Sequence, residues 1–315
     1  MHSLEPEISQ LHLAGHLDGQ AAQRFAAMEH GAVFSLYYEL RIIGYAAVLL
    51  VVTGIGLLLK EHFDRIGPVA VAWIIGLLAA GCYAHALRSR WRGEDRSIIG
   101  DYVLLLGGML VSADIAFLEV QFHWLGDRWA LHLLMLVVFH GVCAWVFDSR
   151  LLLSLSLAAF AGWMGVSRHL DDLLSSGSNT GQYGMRALLA GLAAWVGREL
   201  NHRSARRPRF DEVYEHYAIN FAFWGGLMWC GQLRTLLAGV LLTAVLSAGA
   251  VFLGRRRRSE WFAVYGVVYG ALGFCLACAQ LLRDPFLVSA LVLAAIAAGV
   301  SLLRNLHQQI REASE

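Results

Sequence analysis

The sequence predicts an all-α protein: a polytopic membrane bundle of about ten transmembrane helices behind a short amphipathic N-terminal helical segment. Three observations predict it. The chain of 315 residues is 57% hydrophobic and 16% charged, with a mean hydropathy of +0.54, whereas soluble domains hold about 45–50% apolar and about 25% charged residues. Apolar runs of near-spanning length recur along the chain, separated by short polar links. The 32 glycines against four prolines suit closely packed membrane helices.

Residues 1–38 form the first expected unit, cytoplasmic and amphipathic. In "LHLAGHLDGQAAQRFAAMEH", Leu13, Leu17, Ala21 and Phe25 recur at helical spacing, with Met28 near the same face. Asp18 is placed to cap a helix starting near Gly19. Such helices can pack on the bundle, lie in the membrane interface or bind a protein partner. The first apolar run starts near Ile42 and is long enough to span, so it reads as an uncleaved first helix.

Ten spans are expected over residues 39–304, with a cytoplasmic tail at 305–315. They run from about 41 to 59, 67 to 87, 98 to 122, 129 to 147, 151 to 167, 183 to 198, 214 to 231, 234 to 253, 261 to 282 and 286 to 303. The fifth and sixth are short, and "DSR" makes the fourth and fifth a tight hairpin.

Basic residues orient these spans, because cytoplasmic links retain Lys and Arg. The side holding both termini carries 18 of the 25 basic residues, including "RSRWRGEDR" (88–96), "RSARRPR" (203–209) and "RRRR" (255–258). Both termini are therefore expected in the cytoplasm, in a bacterial inner membrane. The clusters also fit contact with anionic lipid headgroups. They are short and abut spans, so nucleic acid is not an expected partner. The five cysteines, Cys82, Cys143, Cys230, Cys275 and Cys278, all lie in apolar runs and read as small packing residues.

"ADIAFLEVQFHW" (113–124) carries the chemistry. A carboxylate at mid-membrane costs ~2.5 kcal/mol or more, and such residues usually face the protein interior and pair. Taking the third and fourth spans as a hairpin turning near Gly126, Asp114 lies about 18 Å and His140 about 20 Å into their helices. Both reach the midplane of a ~30 Å core. Asp114 with His140 is the expected pair. Glu119 with His132 is the second, with Gln121 level with His132. An imidazole beside a carboxylate suits a proton relay or a proton-coupled solute site. Trp124 and Trp129 flank the turn, as interfacial aromatics do. In "DEVYEHYAIN" (211–220), Glu212, His216 and Asn220 share a helix face.

The order of "LAGHLDGQAAQRF" (13–25), "GIGLLLKEHFDRIG" (54–67), "LLLGGMLVSADIAFLEVQFHWLGD" (104–127) and "FDSRLLLSLSLAAF" (147–160) resembles domain of unknown function family 2157, multi-span bacterial membrane proteins. The resemblance covers about the first half of the chain and implies no activity. The ten-span layout is also similar to the drug/metabolite transporter superfamily, whose two five-span halves are inverted repeats. "LAAFAG" (157–162) and "LAAIAAG" (293–299) would then correspond, after Asp148 and Asp284.

The expected function is transport of a small solute or proton through a polar pocket of Asp114, His140, Glu119, His132 and Gln121 between spans three and four. The alternative is a non-transporting sensor, scaffold or assembly subunit acting through its N-terminal helices. No HExxH, G-x-S-x-G or P-loop pattern occurs, so an enzyme is the less favoured reading, and no cofactor or metal is expected.

Overall fold

The structure is a computed structural model and describes residues 10–16, 18–20, 23, 37–92, 98–128, 130–165, 180–204, 207–257, 260–282 and 284–312. Among them run ten helices of more than one turn beyond the N-terminal segment: α1 (Tyr37–Glu61), α2 (Pro68–Trp91), α3 (Ile98–Phe122), α4 (Leu131–Phe147), α5 (Arg150–Trp163), α6 (Thr180–Ser204), α7 (Pro208–Cys230), α8 (Leu236–Arg257), α9 (Glu260–Leu281) and α10 (Pro285–Glu312). The described residues contain no strand. In the N-terminal segment, residues 10–13 are helical. Leu17, Ala21, Phe25 and Met28 lie outside the described residues, as does Trp129.

Each expected span falls on one helix, but the count of spans does not follow. Six helices are long and apolar enough to cross a membrane: α1, α2, α3, α8, α9 and α10. With 17 and 14 residues, α4 and α5 reach only about 26 and 21 Å. The 25 residues of α6 and 23 of α7 are long enough, but they carry Arg186, Arg198 and Glu199, and Asp211, Glu212 and Glu215. The described residues thus form an all-helical membrane bundle in which six helices are clear spans by length and composition. The tail expected from 305 continues α10 as helix to Glu312.

Local chemistry sets the helix ends. Pro68 opens α2 after Gly67, whose φ of 77° suits a residue without Cβ. Asp148 takes the left-handed conformation (φ 54°) and closes α4. The buried Ser149 then caps α5, its hydroxyl accepting the Leu152 N–H at 3.4 Å.

The chain divides into two compact units, Arg41–Gly225 and Gly226–Glu315 with Met1–Leu40. The units are not the halves α1–α5 and α6–α10 of a five-plus-five repeat. In the first, one core joins Tyr83 and Ala86 near the end of α2, Leu104 near the start of α3, Ala144 of α4, Leu152 and Leu153 of α5 and Phe210 of α7. Helix ends and starts meet there in the alternation that up-and-down packing requires. Small residues join α6 to α7, where Ala187, Ala190 and Ala194 pack with Ala218 and Phe221. In the second unit, a row on α8 at every fourth residue lies at two seams: Gly239 meets Trp229 and Cys230 of α7, Thr243 meets Gly226 of α7 and Gly273 of α9, and Ser247 meets Gly266 and Gly270 of α9. Small residues at a helix seam let backbones approach without lipid between them. Outward faces stay apolar, as Ile42, Leu50, Leu58, Trp73, Leu77 and Leu293 illustrate, which fits a lipid-facing belt.

Candidate functional site

Adjacent glycines let α3 touch two neighbours at one level. A Cβ at Gly107 would lie 2.9 Å from Cys82 of α2, and one at Gly108 would lie 2.8 Å from Leu152 of α5. Successive residues point ~100° apart on a helix, so the pair creates two faces. Leu110, Val111, Asp114 and Phe117 follow the Gly107 side. Ser112 follows Gly108 one turn later.

His140 belongs to the second face. It is 1% exposed. Its Nε2 lies 2.8 Å from Ser112 Oγ, and that hydroxyl donates to the Gly108 carbonyl at 3.0 Å. A serine has one hydrogen to give. With that hydrogen on Gly108, Nε2 is the donor and Nδ1 holds the bare lone pair. Nδ1 is buried without a hydrogen-bond partner. Below it, the α4–α5 hairpin is pinned by Ser156, which donates to the Val137 carbonyl at 2.8 Å.

Asp114 belongs to the first face. It is half-buried, and its Oδ1 is sealed off without a hydrogen-bond partner. A Cβ at Gly76 of α2 would lie 3.3 Å from its Oδ2. The expected Asp114–His140 pair is therefore not formed. Equal depth brought the two residues to one level, but Asp114 points towards α2 while His140 meets α3 through Ser112.

Glu119 is 6% exposed and accepts the Leu125 N–H at 3.2 Å. Its carboxylate thus braces the α3–α4 turn, where His123 (φ 49°) and Gly126 (φ 52°) reverse the chain. His132 is half-buried at the second position of α4. Gln121 is exposed in the last turn of α3. Trp124, at 50% exposure, sits on the same turn. Among the described residues no group of three or more His, Cys, Asp or Glu converges as metal ligands do, and all five cysteines are free.

A second polar constellation escaped the sequence reading. It joins the α4–α5 turn to the α6–α7 turn. Arg198 pairs with Glu215 at 2.9 Å and lies over the Trp195 ring at 5.3 Å. Asn201, buried, donates to Asp211 at 2.6 Å and to the Arg207 carbonyl at 2.8 Å. Arg207 reaches Asp148 at 3.1 Å and donates to the Trp145 carbonyl at the end of α4 at 3.0 Å. Arg150 pairs with Glu212 at 2.9 Å. Arg207 thus serves as a C-terminal helix cap for α4, a role that "RSARRPR" does not advertise. Its signal is the acidic run at 211–215 facing a basic run across a short turn. On the face shared with His216, Asn220 donates one amide N–H to the His216 carbonyl at 2.7 Å.

Burial pushes the Asp211 carboxyl up, but hydrogen bonds from Asn201 and His202 and the charges of His202 and Arg198 outweigh it. The net result holds Asp211 below the usual carboxylate range. A depressed carboxyl stabilises the fold above its unfolded value and loses that contribution as pH falls through its folded value. Resistance to unfolding should therefore drop as pH falls below about 4, and Asp211→Asn should flatten that drop. A detergent-unfolding series against pH checks this.

No family model matches the chain, and no curated protein or solved structure matches it.

Proposed function

We propose that this chain is a bacterial inner-membrane protein of about ten spans, with both termini cytoplasmic, that moves a proton or small solute past polar positions on α3 and α4. The carrying observation is the pair of buried polar atoms without partners, Asp114 Oδ1 and His140 Nδ1. An unsatisfied polar group in a membrane span is expensive, and intramembrane ionisable residues mark ion and substrate paths. Burial among neighbouring helices supports counting α4–α7 as spans, since short or polar helices are tolerated inside a bundle. Both the resemblance to domain of unknown function family 2157 and the transporter-like layout belong to this proposal.

Purified protein in liposomes tests it. Proton-driven uptake over a metabolite panel, and dissipation of a pH gradient, should fall about tenfold or more in Asp114→Asn. Flux equal to wild type in that variant would sink the reading. The exposed Leu11 and Leu13 favour the alternative, a sensor or scaffold docking a protein partner through its N-terminal helices. That role predicts no flux in either protein and loss of partner capture in Leu13→Asp.

A further inference from the structure

We propose that Asp114 is a proton-binding site on the α2 side of α3, seated by Gly76 and separate from the His140–Ser112 pair. This rests on the reading of α3 as a span that carries a used polar site, and it names the proton as what that site takes.

The surroundings argue for it. The cluster on this side comprises Val71, Ile75 and Ala79 of α2, Leu110 of α3, and the flanking Val52, Ile55, Leu59, Phe63, Ile66, Cys82, Val111 and Phe117 among others. These are the apolar side chains on that side of the α2–α3 seam, Cys82 among them. Leu110, Val111 and Phe117 share the Asp114 face at helical spacing. An ionised carboxyl on the same helix face as these groups has no hydrogen-bond donor at its buried Oδ1. Among the described residues no second or third His, Cys, Asp or Glu joins Asp114 in a group that could hold a metal ion. A proton needs only the carboxylate: one oxygen takes it up and the group becomes a neutral acid.

Gly76 sets the seat. A methyl there would press on Oδ2 from 3.3 Å, closer than ordinary van der Waals contact. Alanine favours helix more than glycine does, so Gly76→Ala should fold and displace only the carboxyl.

The probe is N,N′-dicyclohexylcarbodiimide, an apolar reagent that adds to a protonated carboxyl and ends as an N-acylurea on it. The full chain is treated in phosphatidylcholine liposomes, and each peptide is weighed. Asp114 should label about tenfold faster than Glu119, whose carboxylate accepts a backbone N–H. Labelling should fall as pH is raised, vanish in Asp114→Asn and drop severalfold in Gly76→Ala with helicity unchanged. Asp114 labelling no faster than Glu119 overturns the proton site. Gly76→Ala labelling like wild type overturns the seat. Labelled Asp114 without flux sinks the transport reading but keeps the site, whereas flux with unlabelled Asp114 does the reverse.

Discussion

Replacing Arg198 with alanine should destabilise the first unit by about 3 kcal/mol. Arg198 and Glu215 have side chains only 17% and 13% exposed and meet at 2.9 Å. Removing the cation leaves a largely buried carboxylate without its main partner, and that loss exceeds the net worth of the pair. The guanidinium also covers the Trp195 ring, so Arg198→Lys should recover only part of the stability. The double variant Arg198→Met, Glu215→Leu should recover most of it, because no buried charge then remains. Unfolding in mixed detergent micelles, followed by helicity, gives the comparison. Arg203→Ala is the control: Arg203 is 75% exposed and pairs along its own helix with Glu199, so its loss should cost under about 0.5 kcal/mol. Equal losses for Arg198→Ala and Arg203→Ala would disprove the buried-pair explanation.

Gly266→Ala should cost the second unit about 2 kcal/mol. A Cβ there would lie 2.7 Å from the Ser247 carbonyl and 3.2 Å from the Val251 nitrogen, both backbone atoms of α8. Side-chain ends can rotate away from such a contact, but a helix backbone must move as a body. Gly249→Ala provides the opposite sign. Nothing lies within 4 Å of its Cβ position, so relief of glycine's helix penalty should stabilise by up to about 1 kcal/mol. The same micelle titration reads both. If the two alanines shift stability in the same direction, the close α8–α9 seam is wrong.

Apolar run length made the helices legible. The expected 98–122 and 261–282 fall on Ile98–Phe122 and Glu260–Leu281 almost residue for residue. Run length and composition by themselves single out six of the helices as spans. In α6 and α7 the apolar stretch is diluted by Arg198, Glu199, Asp211, Glu212 and Glu215, whose tolerance depends on which partners they meet. Partner choice is a tertiary property. Arg207 looked like one of a run of topology signals, yet it reaches across to Asp148 and the Trp145 carbonyl, more than fifty positions away in the chain.

The chain by itself determined the all-helical membrane architecture, the positions of the helices and how far along their helices Asp114 and His140 lie. Each of these is a one-dimensional quantity, set by counting residues from a turn at about 1.5 Å apiece. Azimuth is different. Ser112 and Asp114 are two residues apart, so they point ~200° from each other around α3. Only the packing of α2 at Gly107 and of α5 at Gly108 decides which of them meets His140. Tertiary structure therefore gave His140 to Ser112, gave Asp114 to the Gly76 side, and turned Glu119 to the backbone of its own turn.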